Sequence, residues 1–550
     1  MRVVVLGGSG VFGSRLGKLL RRDGHEVWLA GRRLERARLV AEPMGAFPLE
    51  VDLKSDLSPL FAPAPDVVID AAGPFQSYGD DPYRVARRCV REGVDYLDLA
   101  DDAGFAAGIA TLDPDARQAG RRVLSGASSV PGLSSIVVQE LVRGMTEILL
   151  IDTVILPGNK APRGAAVIAS IVGQAGHRSL VWRGGQWRSM RGWSDRRRYR
   201  LDAKMIRSGY FIEVPDIRLF PAAFGARSVI FRAGMELEVM NAGLSLLGAL
   251  RRVSPLPLGS RGVRFVQRAA TLLLPFGTDR GGMRVAVTGM IDGSPRCHAW
   301  TLVAEAGDGP FVPGVVCRAL LRRLETVPPG ARPCLAELTI SDIEEAMADL
   351  SVTTRTDLAD RPTLFQSALR DRWALLPAEV RELHSGQDIE SFSGTATVTR
   401  GTSPIARLVA WFFGFPPAGD EVPVTVTMTI TENGETWERN FDGRVFRSHF
   451  NSSPLPYRYF ERFWLFVCEL ELPVEKGAMH LVVRRGWFMG VPLPKFLLPG
   501  SDSREYARDG RFHFDVSLSA PLGGGLIVRY RGRLEPERSR QGPTFDEAAP

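Results

Sequence analysis

The first third of the chain alternates short apolar segments with longer segments that are apolar on one side only. The apolar segments are rich in Val, Ile and Leu, as strands buried on both faces are. Between the first two, Leu16, Leu19 and Leu20 fall on one face of a helix and basic residues on the other. The pattern predicts a parallel sheet covered by helices, with strands at residues 2–6, 26–30, 47–51, 66–71, 96–99 and 122–125.

From about residue 131 the apolar segments become longer and half polar, with irregular stretches between them. We interpret residues 131–352 as a mixed α/β domain for substrate binding or dimerisation. Within it, residues 310–325 are predicted to form a helix that returns to pack on the first domain. The strands of this region are predicted at residues 151–156, 229–232, 235–239, 283–288 and 297–304.

A segment rich in Thr, Arg and Asp, residues 353–361, is predicted to be a linker. The third region, residues 363–536, begins with short helices and is then β-rich. Asn433-Gly434 lies between two alternating segments and predicts a tight hairpin, because both residues tolerate positive φ. The predicted fold class is therefore α/β, with a Rossmann domain at residues 1–130, a mixed α/β second domain and a β-rich C-terminal domain.

The loop after the first strand has the GxGxxG spacing of dinucleotide-binding sites, with a strand before it and a helix after it. Glycines at these positions allow a tight turn, approach of a pyrophosphate to the backbone, and close packing of helix on strand. The free N–H groups of the helix start then bind the pyrophosphate. The predicted cofactor-binding residues of this loop are Gly8, Ser9, Gly10, Val11, Phe12 and Gly13.

The second predicted strand ends in Arg32 and Arg33, where NAD-binding relatives of this fold carry an acid. Two guanidinium groups favour a 2′-phosphate, so NADP is the predicted cofactor and NAD the alternative. Two solvated arginines at the start of a helix are the plainer interpretation. Asp52, after the third strand, is predicted either to bind the adenine amine or simply to cap its loop.

Small residues follow the fourth strand, where the nicotinamide ribose of a bound dinucleotide approaches the sheet. Ala72, Gly73 and Pro74 are therefore predicted to contact the cofactor, although Gly-Pro is also an ordinary turn sequence. Hydride transfer needs a group that gives or takes a proton. Tyr78 and Asp101 are candidates for that role, and the catalytic residue stays unassigned at this point.

The composition of the chain limits which binding partners and which cellular location we expect. The net charge of +7 comes with a pI near 9.3, yet no recognisable nucleic-acid-binding motif accompanies it, so no nucleic-acid partner is expected. The five cysteines form no CxxC pair, so we predict no metal site and a reducing cytoplasmic location. Every apolar run is interrupted before the roughly 18–20 residues that a membrane span needs.

Three apolar segments with Arg at their edges are typical of core or dimer-interface helices, or of helices that lie on a membrane surface. A homodimer and a peripheral contact with the inner membrane therefore both stay open. The aromatic residues of the third region are expected to face inward, as plain core or as the lining of a site for an apolar ligand. The segments are residues 243–252, 263–276 and 405–415, and the aromatic residues are Trp464, Phe466, Trp487 and Phe488.

Four motifs in order resemble the saccharopine dehydrogenase-like (saccharopine reductase-like) NAD(P)-binding oxidoreductases. They are GGSGVFG at residues 7–13, AAGPFQSYG at 71–79, CVREGVDYLDL at 89–99 and GASSVPG at 126–132. The resemblance implies an NAD(P)-binding domain joined to a domain that caps the nicotinamide and often mediates dimerisation. Residues 363–536 resemble a bacterial domain of unknown function that follows such dehydrogenases.

The resemblance also implies a cofactor role for Asp98, which is a third candidate for the acid or base. Relatives commonly continue from this aspartate with a small residue and Gly-Glu, whereas this chain continues to Asp101 and Asp102. Either one of these two carboxyls replaces the missing Glu, or this part of the site has a different function.

Three functions fit the sequence. The leading hypothesis is an NADP-dependent oxidoreductase that transfers a hydride to or from an apolar or lipid-like small-molecule substrate. The second is a dehydrogenase that couples an amine and an oxo-acid, as in amino-acid and polyamine chemistry, and it needs cations near the substrate carboxylates. The third is a non-catalytic cofactor-binding protein whose β-rich domain binds a ligand.

Overall fold

The structure, a computed structural model, describes residues 1–162, 164–253, 260–431 and 434–537. In the N-terminal region, strands alternate with helices whose apolar faces are buried. The elements are β1 (Arg2–Leu6), α1 (Val11–Arg22), β2 (Glu26–Gly31), α2 (Leu34–Ala41), β3 (Phe47–Glu50), β4 (Val67–Asp70), α3 (Arg84–Glu92), β5 (Asp95–Asp98), α4 (Ala103–Gly108), α5 (Asp113–Gln118), β6 (Arg122–Ser125) and α6 (Ser134–Leu141).

The middle of the chain continues with longer strands and six further helices. The elements are β7 (Glu147–Leu156), α7 (Ala165–Gln174), β8 (Arg178–Arg183), β9 (Gln186–Arg191), β10 (Arg197–Arg200), β11 (Ile206–Phe211), α8 (Pro215–Phe224), β12 (Val229–Ala233), α9 (Glu238–Val253), α10 (Ser260–Leu272), β13 (Gly281–Ile291), β14 (Ser294–Ala304), α11 (Val312–Arg323), β15 (Gly330–Pro333), α12 (Ile340–Met347) and β16 (Val352–Asp360).

The C-terminal region is mostly β. The elements are α13 (Leu364–Leu369), α14 (Ala378–Leu383), β17 (Ile389–Arg400), α15 (Pro404–Phe412), β18 (Gly419–Thr431), β19 (Gly434–Phe441), β20 (Arg444–Ser452), β21 (Arg458–Phe463), β22 (Phe466–Glu471), β23 (Val474–Glu475), β24 (Ala478–Phe488), β25 (Val491–Pro492), β26 (Gly500–Arg508), β27 (Arg511–Ser519) and β28 (Leu526–Pro536).

The first sheet has seven strands in the order β15-β6-β5-β4-β1-β2-β3, and all of its pairings are parallel. Val3, Val4 and Val5 of β1 are fully buried at its centre. The strand order reverses direction between β1 and β4, so a crevice opens there at the carboxyl ends of the strands. The predicted Rossmann-like parallel sheet is confirmed.

One strand of this sheet comes from far along the chain. β15 pairs with β6, with Gly330 opposite Arg122, and the preceding helix α11 lies against α1. The sequence pattern did not predict β15, because its four residues, Gly-Ala-Arg-Pro, form no apolar run. The limits of the domains stay a proposal, since elements from both sides of residue 131 share this sheet.

The second sheet is mixed, with the order β10-β11-β12-β7-β13-β14-β16. Two sequence predictions are wrong here. Residues 353–361 are not a linker, because Val352–Asp360 pairs with β14 as an edge strand whose polar side chains face solvent. Residues 235–239 are not a strand, because α9 begins at Glu238 and the Asn241 side chain bonds the backbone N–H and C=O of Met235.

The third sheet closes on itself. Ten antiparallel strands follow one another around it as β17-β18-β19-β20-β21-β22-β24-β26-β27-β28, and β28 pairs again with β17. This confirms a β-rich C-terminal domain and specifies it as a barrel. The predicted hairpin joins β18 to β19, which pair up to Thr431 and Gly434; its turn residues Glu432 and Asn433 lie outside the described residues.

Ion pairs connect the barrel to the middle region. The guanidinium group of Arg183 on β8 donates two hydrogen bonds to the carboxylate of Asp388, and both side chains are buried. Arg227 contacts Glu390 at 2.5 Å. Within the described residues, no helix is long and apolar enough to cross a bilayer.

We expect Arg183→Met to lower the free energy of unfolding by about 3–5 kcal/mol, because the Asp388 carboxylate stays buried without its partner. Urea denaturation followed by circular dichroism measures the loss. Arg38→Met is the control, since Arg38 lies on the exposed surface of α2, where an ion pair contributes about 1 kcal/mol or less. Equal losses in the two variants would contradict the assigned role of this pair.

Candidate functional site

A cleft of about 840 Å³ opens at the carboxyl ends of β1 to β4. Its floor is the glycine-rich loop after β1, and its sides are the loops after β2, β3 and β4. The start of α7 forms the opposite wall through Gly164, Val167 and Ser170. The middle region therefore covers the crevice at which ligands bind in open parallel sheets.

The N-terminus of α1 opens into this cleft. Gly10 is its N-cap residue, and no side-chain cap accepts a hydrogen bond from the N–H groups of the helix start. Val11 and Phe12, the first two residues of the helix, line the cleft together with Ser9 and Gly10. An uncapped helix start offers free N–H groups and a partial positive charge, which together suit a phosphate.

The glycines of the loop are needed for contacts between backbone segments. A Cβ atom on Gly13 would lie 2.4 Å from the carbonyl oxygen of Gly7, and one on Gly8 would lie 2.7 Å from the Cβ of Leu29. Gly10 has a similar constraint, since its Cβ would lie 3.0 Å from the same oxygen of Gly7. Gly8 and Gly13 do not line the cleft but hold loop, helix and strand together.

Basic side chains line the outer end of the cleft, beside β2 and β3. Arg32, Arg36 and Lys54 contribute to this wall, whereas Arg33, the N-cap residue of α2, does not. Asp52 also lines the wall, and its carboxylate accepts a hydrogen bond from the backbone N–H of Lys54 at 3.0 Å. The arrangement provides three cations for an anionic group at this end.

The loop after β4 forms the inner side of the cleft, where Ala72, Gly73, Pro74 and Tyr78 lie. The Tyr78 hydroxyl donates to the carboxylate of Asp70, 3.0 Å away. Burial raises the pKa of Asp70 to about 6, and burial beside this carboxylate raises the pKa of Tyr78. Tyr78 therefore keeps its proton, and its hydroxyl is already engaged by Asp70.

Asp98 lies behind the cleft and does not line it. Its buried carboxylate accepts hydrogen bonds from the Ser125 hydroxyl and from the backbone N–H groups of Ala100 and Gly126, at 2.7 to 3.0 Å. Burial raises the pKa of this carboxyl to about 7 despite these donors. The contacts connect the ends of β5 and β6, so its position is that of a structural anchor.

The next two aspartates, Asp101 and Asp102, have different structural roles. Asp102 caps α4, since its carboxylate accepts a hydrogen bond from the N–H of Phe105 at 2.8 Å. Asp101 instead lines the cleft with its side chain exposed to the solvent there, and the protein around the cleft raises the pKa of its carboxyl by partial desolvation. Of the three candidate acids, Asp101 and Tyr78 face the cleft.

Several residues of the cleft were missed by sequence reasoning. Gly7 has a φ of +66°, and a Cβ there would lie 2.6 Å from the carbonyl oxygen of Ala71. Its position directly before the GxGxxG spacing was the available signal. Arg36 and Lys54 carried no signal beyond their charge, and Ser170 came from a region whose placement over the sheet is a property of the tertiary fold.

We expect Gly13→Ala to abolish dinucleotide binding, because its Cβ collides with backbone atoms that cannot move without separating β1 from α1. Fluorescence titration with NADPH measures binding, and thermal unfolding reports the fold. Gly243→Ala is the control: Gly243 is exposed on α9 with nothing within 4 Å of its Cβ position, and alanine in a helix is favourable by about 1 kcal/mol. Unchanged NADPH binding in Gly13→Ala would contradict the loop assignment.

Comparisons with known proteins address both ends of the chain. Residues 3–124 match the family model described as the saccharopine dehydrogenase NADP binding domain, and residues 376–534 match a domain of unknown function, DUF4166. A search of curated proteins found no match. The resemblance read from the sequence motifs is thus confirmed by two independent segments.

Solved structures show remote similarity to about two thirds of the chain. A saccharopine dehydrogenase (L-Glu forming) from Saccharomyces cerevisiae is 15% identical with a TM-score of 0.46, and the match covers 65% of this chain and 99% of that chain. A homospermidine synthase from Legionella pneumophila in complex with NAD is 11% identical with a TM-score of 0.45, covering 66% and 92%. These values are too low to transfer an activity from either protein. The similarity therefore rests on the family model that matches residues 3–124. Over residues 3–124 the chain is thus similar to the saccharopine dehydrogenase-like, NAD(P)-dependent oxidoreductases, and it carries a C-terminal domain of unknown function.

Proposed function

We propose that the protein transfers a hydride between NADP and an apolar, lipid-like substrate in the cleft beneath α7. The observation that supports this proposal most directly is the distribution of charged side chains along the cleft. The described basic residues that line it, Arg32, Arg36, Lys54 and Arg84, all lie towards β2 and β3. The end near Tyr78 is lined mainly by small and apolar residues. Besides Asp52, two carboxyls line the cleft: Asp81, which pairs with Arg87, and Asp101.

The preference for NADP over NAD rests on Arg32 and Arg36. The cleft wall after β2 carries these two guanidinium groups and no carboxylate among its described residues. A 2′-phosphate accepts charge-assisted hydrogen bonds from arginine, whereas an acid at this place would favour the ribose hydroxyls of NAD. Lys54 adds a third positive charge from the β3 loop.

Replacing Arg32 or Arg36 by Gln is expected to weaken NADPH binding roughly 10- to 100-fold and to leave NADH binding almost unchanged, since a charge-assisted hydrogen bond contributes about 1.5–3 kcal/mol. Titration calorimetry with each nucleotide measures the ratio. Arg33→Gln is the matched control, because Arg33 is adjacent in sequence but outside the cleft. A loss in Arg33→Gln alone would reverse the assignment of the two arginines.

The bound nicotinamide supplies the hydride donor or acceptor, and the protein positions the substrate and manages one proton. Asp101 faces the cleft with a raised pKa, so it holds a proton to a higher pH than an ordinary aspartate does. In the reductive direction it donates that proton to the substrate atom next to the carbon that receives the hydride. Tyr78 packs at 5.2 Å from the ring of Phe75 and shapes this end of the cleft.

We expect Asp101→Asn to lower kcat by roughly 10²- to 10⁴-fold, the usual range for a general acid. In the wild type, the reductive rate falls as pH rises through the raised pKa of Asp101, and this limb is absent in the variant. Steady-state kinetics across pH measure both effects. Asp102→Asn is the control, since Asn caps helices as well as Asp does. A pH limb that survives in Asp101→Asn would assign the proton to another group.

The apolar substrate is favoured over the amine and oxo-acid pair by the lack of a described basic residue at the inner end of the cleft. Reductive coupling of an oxo-acid needs cations beside its carboxylate. The two functions are separated by NADPH oxidation assays with long-chain enoyl or carbonyl compounds and with mixtures of an amino acid and an oxo-acid. Turnover of the charged mixture alone would refute our proposal, and NADPH binding without any turnover would favour a non-catalytic role.

We place the protein in the cytoplasm, because its five cysteines are all free and buried, as in a reducing compartment. Homodimerisation and contact with the inner membrane remain part of the proposal. Several large apolar residues of α9 and of the segment after α10 are exposed and suit either role. They are Val239, Leu246, Leu250, Leu274 and Phe276.

A further inference from the structure

The closed barrel has a hollow apolar interior. Along each strand the side chains alternate between inside and outside; on β19, for example, Glu435, Trp437, Arg439 and Phe441 face inward. A cavity of about 160 Å³ remains between the inward-facing side chains. A dry apolar cavity of about 150 Å³ is large enough to hold benzene, so this interior has room for part of an apolar molecule.

Arg439 is the basic residue of this mainly apolar lining, which also includes Glu461, Ser501, Ser503 and Glu505. Its guanidinium group donates to the Ser448 hydroxyl at 2.8 Å and lies 3.7 Å from the carboxylate of Glu461. Both partners are also inside the barrel and largely buried. An arginine stays charged in any protein environment, so a buried one needs an anion close by.

Glu461 is a poor anion for this purpose. Its distance from Arg439 exceeds that of a hydrogen bond, and burial raises the pKa of its carboxyl. A second carboxylate of the lining, that of Glu505, is hydrogen-bonded at 2.6 Å to the imidazole of His384, the residue that follows α14. The charge of Arg439 is therefore offset by the ring faces of Trp437, Phe446 and Phe450 at 5.1 to 5.8 Å and by Glu461 at 3.7 Å, but by no carboxylate at hydrogen-bond distance among the described residues.

The two ends of the barrel differ. At one end, α13 and α14 pack against the inner side chains through Phe365 and Leu383. At the other end, α15 covers the opening only in part: Phe413, just after it, lines the cavity, while Trp411 is 77% exposed. We call the exposed apolar side chains of α15 and of the neighbouring turns the rim; they are Ile405, Leu408, Trp411, Phe412, Trp464, Phe488, Met489, Val491, Phe496 and Leu522.

Two of these rim residues correct a sequence prediction. Trp464 and Phe488 were expected to face inward, but they are 67% and 42% exposed. Phe466 does line the cavity. The ring of Trp464 lies 5.3 Å from that of Phe412, so exposed aromatic side chains of α15 and of the turn between β21 and β22 meet at the opening, as at a binding site for an apolar partner.

We propose that the barrel binds one apolar chain that ends in a carboxylate, with the carboxylate at Arg439 and the chain in the apolar part of the cavity. A chain longer than the cavity continues through the opening among the rim side chains. This site is separate from the dinucleotide cleft, so it does not depend on the proposed hydride transfer. Three features support it together: the cavity, a guanidinium group in its lining that has no hydrogen-bonded carboxylate among the described residues, and the apolar opening.

Native mass spectrometry of the full chain with decanoic acid and with 1-decanol tests the proposal. We expect one decanoate per chain, bound at least tenfold more tightly than decanol. Arg439→Met should remove this preference for the acid, whereas Arg447→Met should keep it. Arg447 is the matched control, because it lies on the adjacent strand β20 with its side chain 64% exposed on the outer face.

A second variant covers the case in which Arg439→Met does not fold. Glu461→Gln keeps the size of the side chain and removes the competing carboxylate, so decanoate should bind more tightly than in the wild type. NADPH binding by the same sample shows that the preparation is folded. Absence of a one-to-one decanoate complex overturns the proposal, and so does equal affinity for acid and alcohol, or weaker decanoate binding in Glu461→Gln.

Discussion

The N-terminal domain depends on a close approach between backbone segments at the end of β1. The oxygen of Gly7 lies where a Cβ of residue 13 would collide with it, and a Cβ of Gly7 would collide with the loop after β4. Strand, helix and neighbouring loop therefore meet with no side chain between them. This contact aims the start of α1 into the crevice and leaves its N–H groups free for phosphate. The position of the cleft and the free anion-binding end of α1 both follow from that geometry.

The middle region has two structural roles. Its helix α7 covers the crevice and supplies the wall opposite the glycine loop. Its hairpin of β8 and β9 carries Arg183, which holds the barrel through the buried carboxylate of Asp388. The cleft and the barrel cavity are thus two separate concave sites, both in contact with the middle region. One is lined with cations at its outer end, and the other is mainly apolar around Arg439, Glu461 and Glu505.

Local patterns in the sequence predicted much of the N-terminal domain. The six strands found from the apolar runs all exist within a few residues of their predicted limits, because a strand buried on both faces must be apolar throughout. The glycine loop could be predicted because the spacing of its glycines follows from the close backbone contacts that exclude a Cβ atom at these positions. Arg33 was predicted to bind the cofactor, but Arg36 lies in the wall instead, since side-chain direction at a helix start depends on the turn that precedes it.

Contacts between distant segments could not be predicted in the same way. Closure of the barrel depends on pairing between β17 and β28. Nothing in the sequence of either strand indicates which other strand it pairs with. The edge strand β16 was taken for a linker because its side chains are polar on both faces. Exposed aromatic residues such as Trp464 look like core residues in a sequence, and only their position at a turn places them on the rim.

The pairing of β15 with β6 has a consequence for the order in which the nascent chain folds on the ribosome. The outer edge of β6 has no neighbour until Gly330–Pro333 has been synthesised, and α1 likewise waits for α11. The entire second sheet except β16 emerges in the meantime. The dinucleotide-binding domain therefore completes its hydrophobic core late, after most of its companion domain has left the exit tunnel, and its unpaired edge needs protection from aggregation until then.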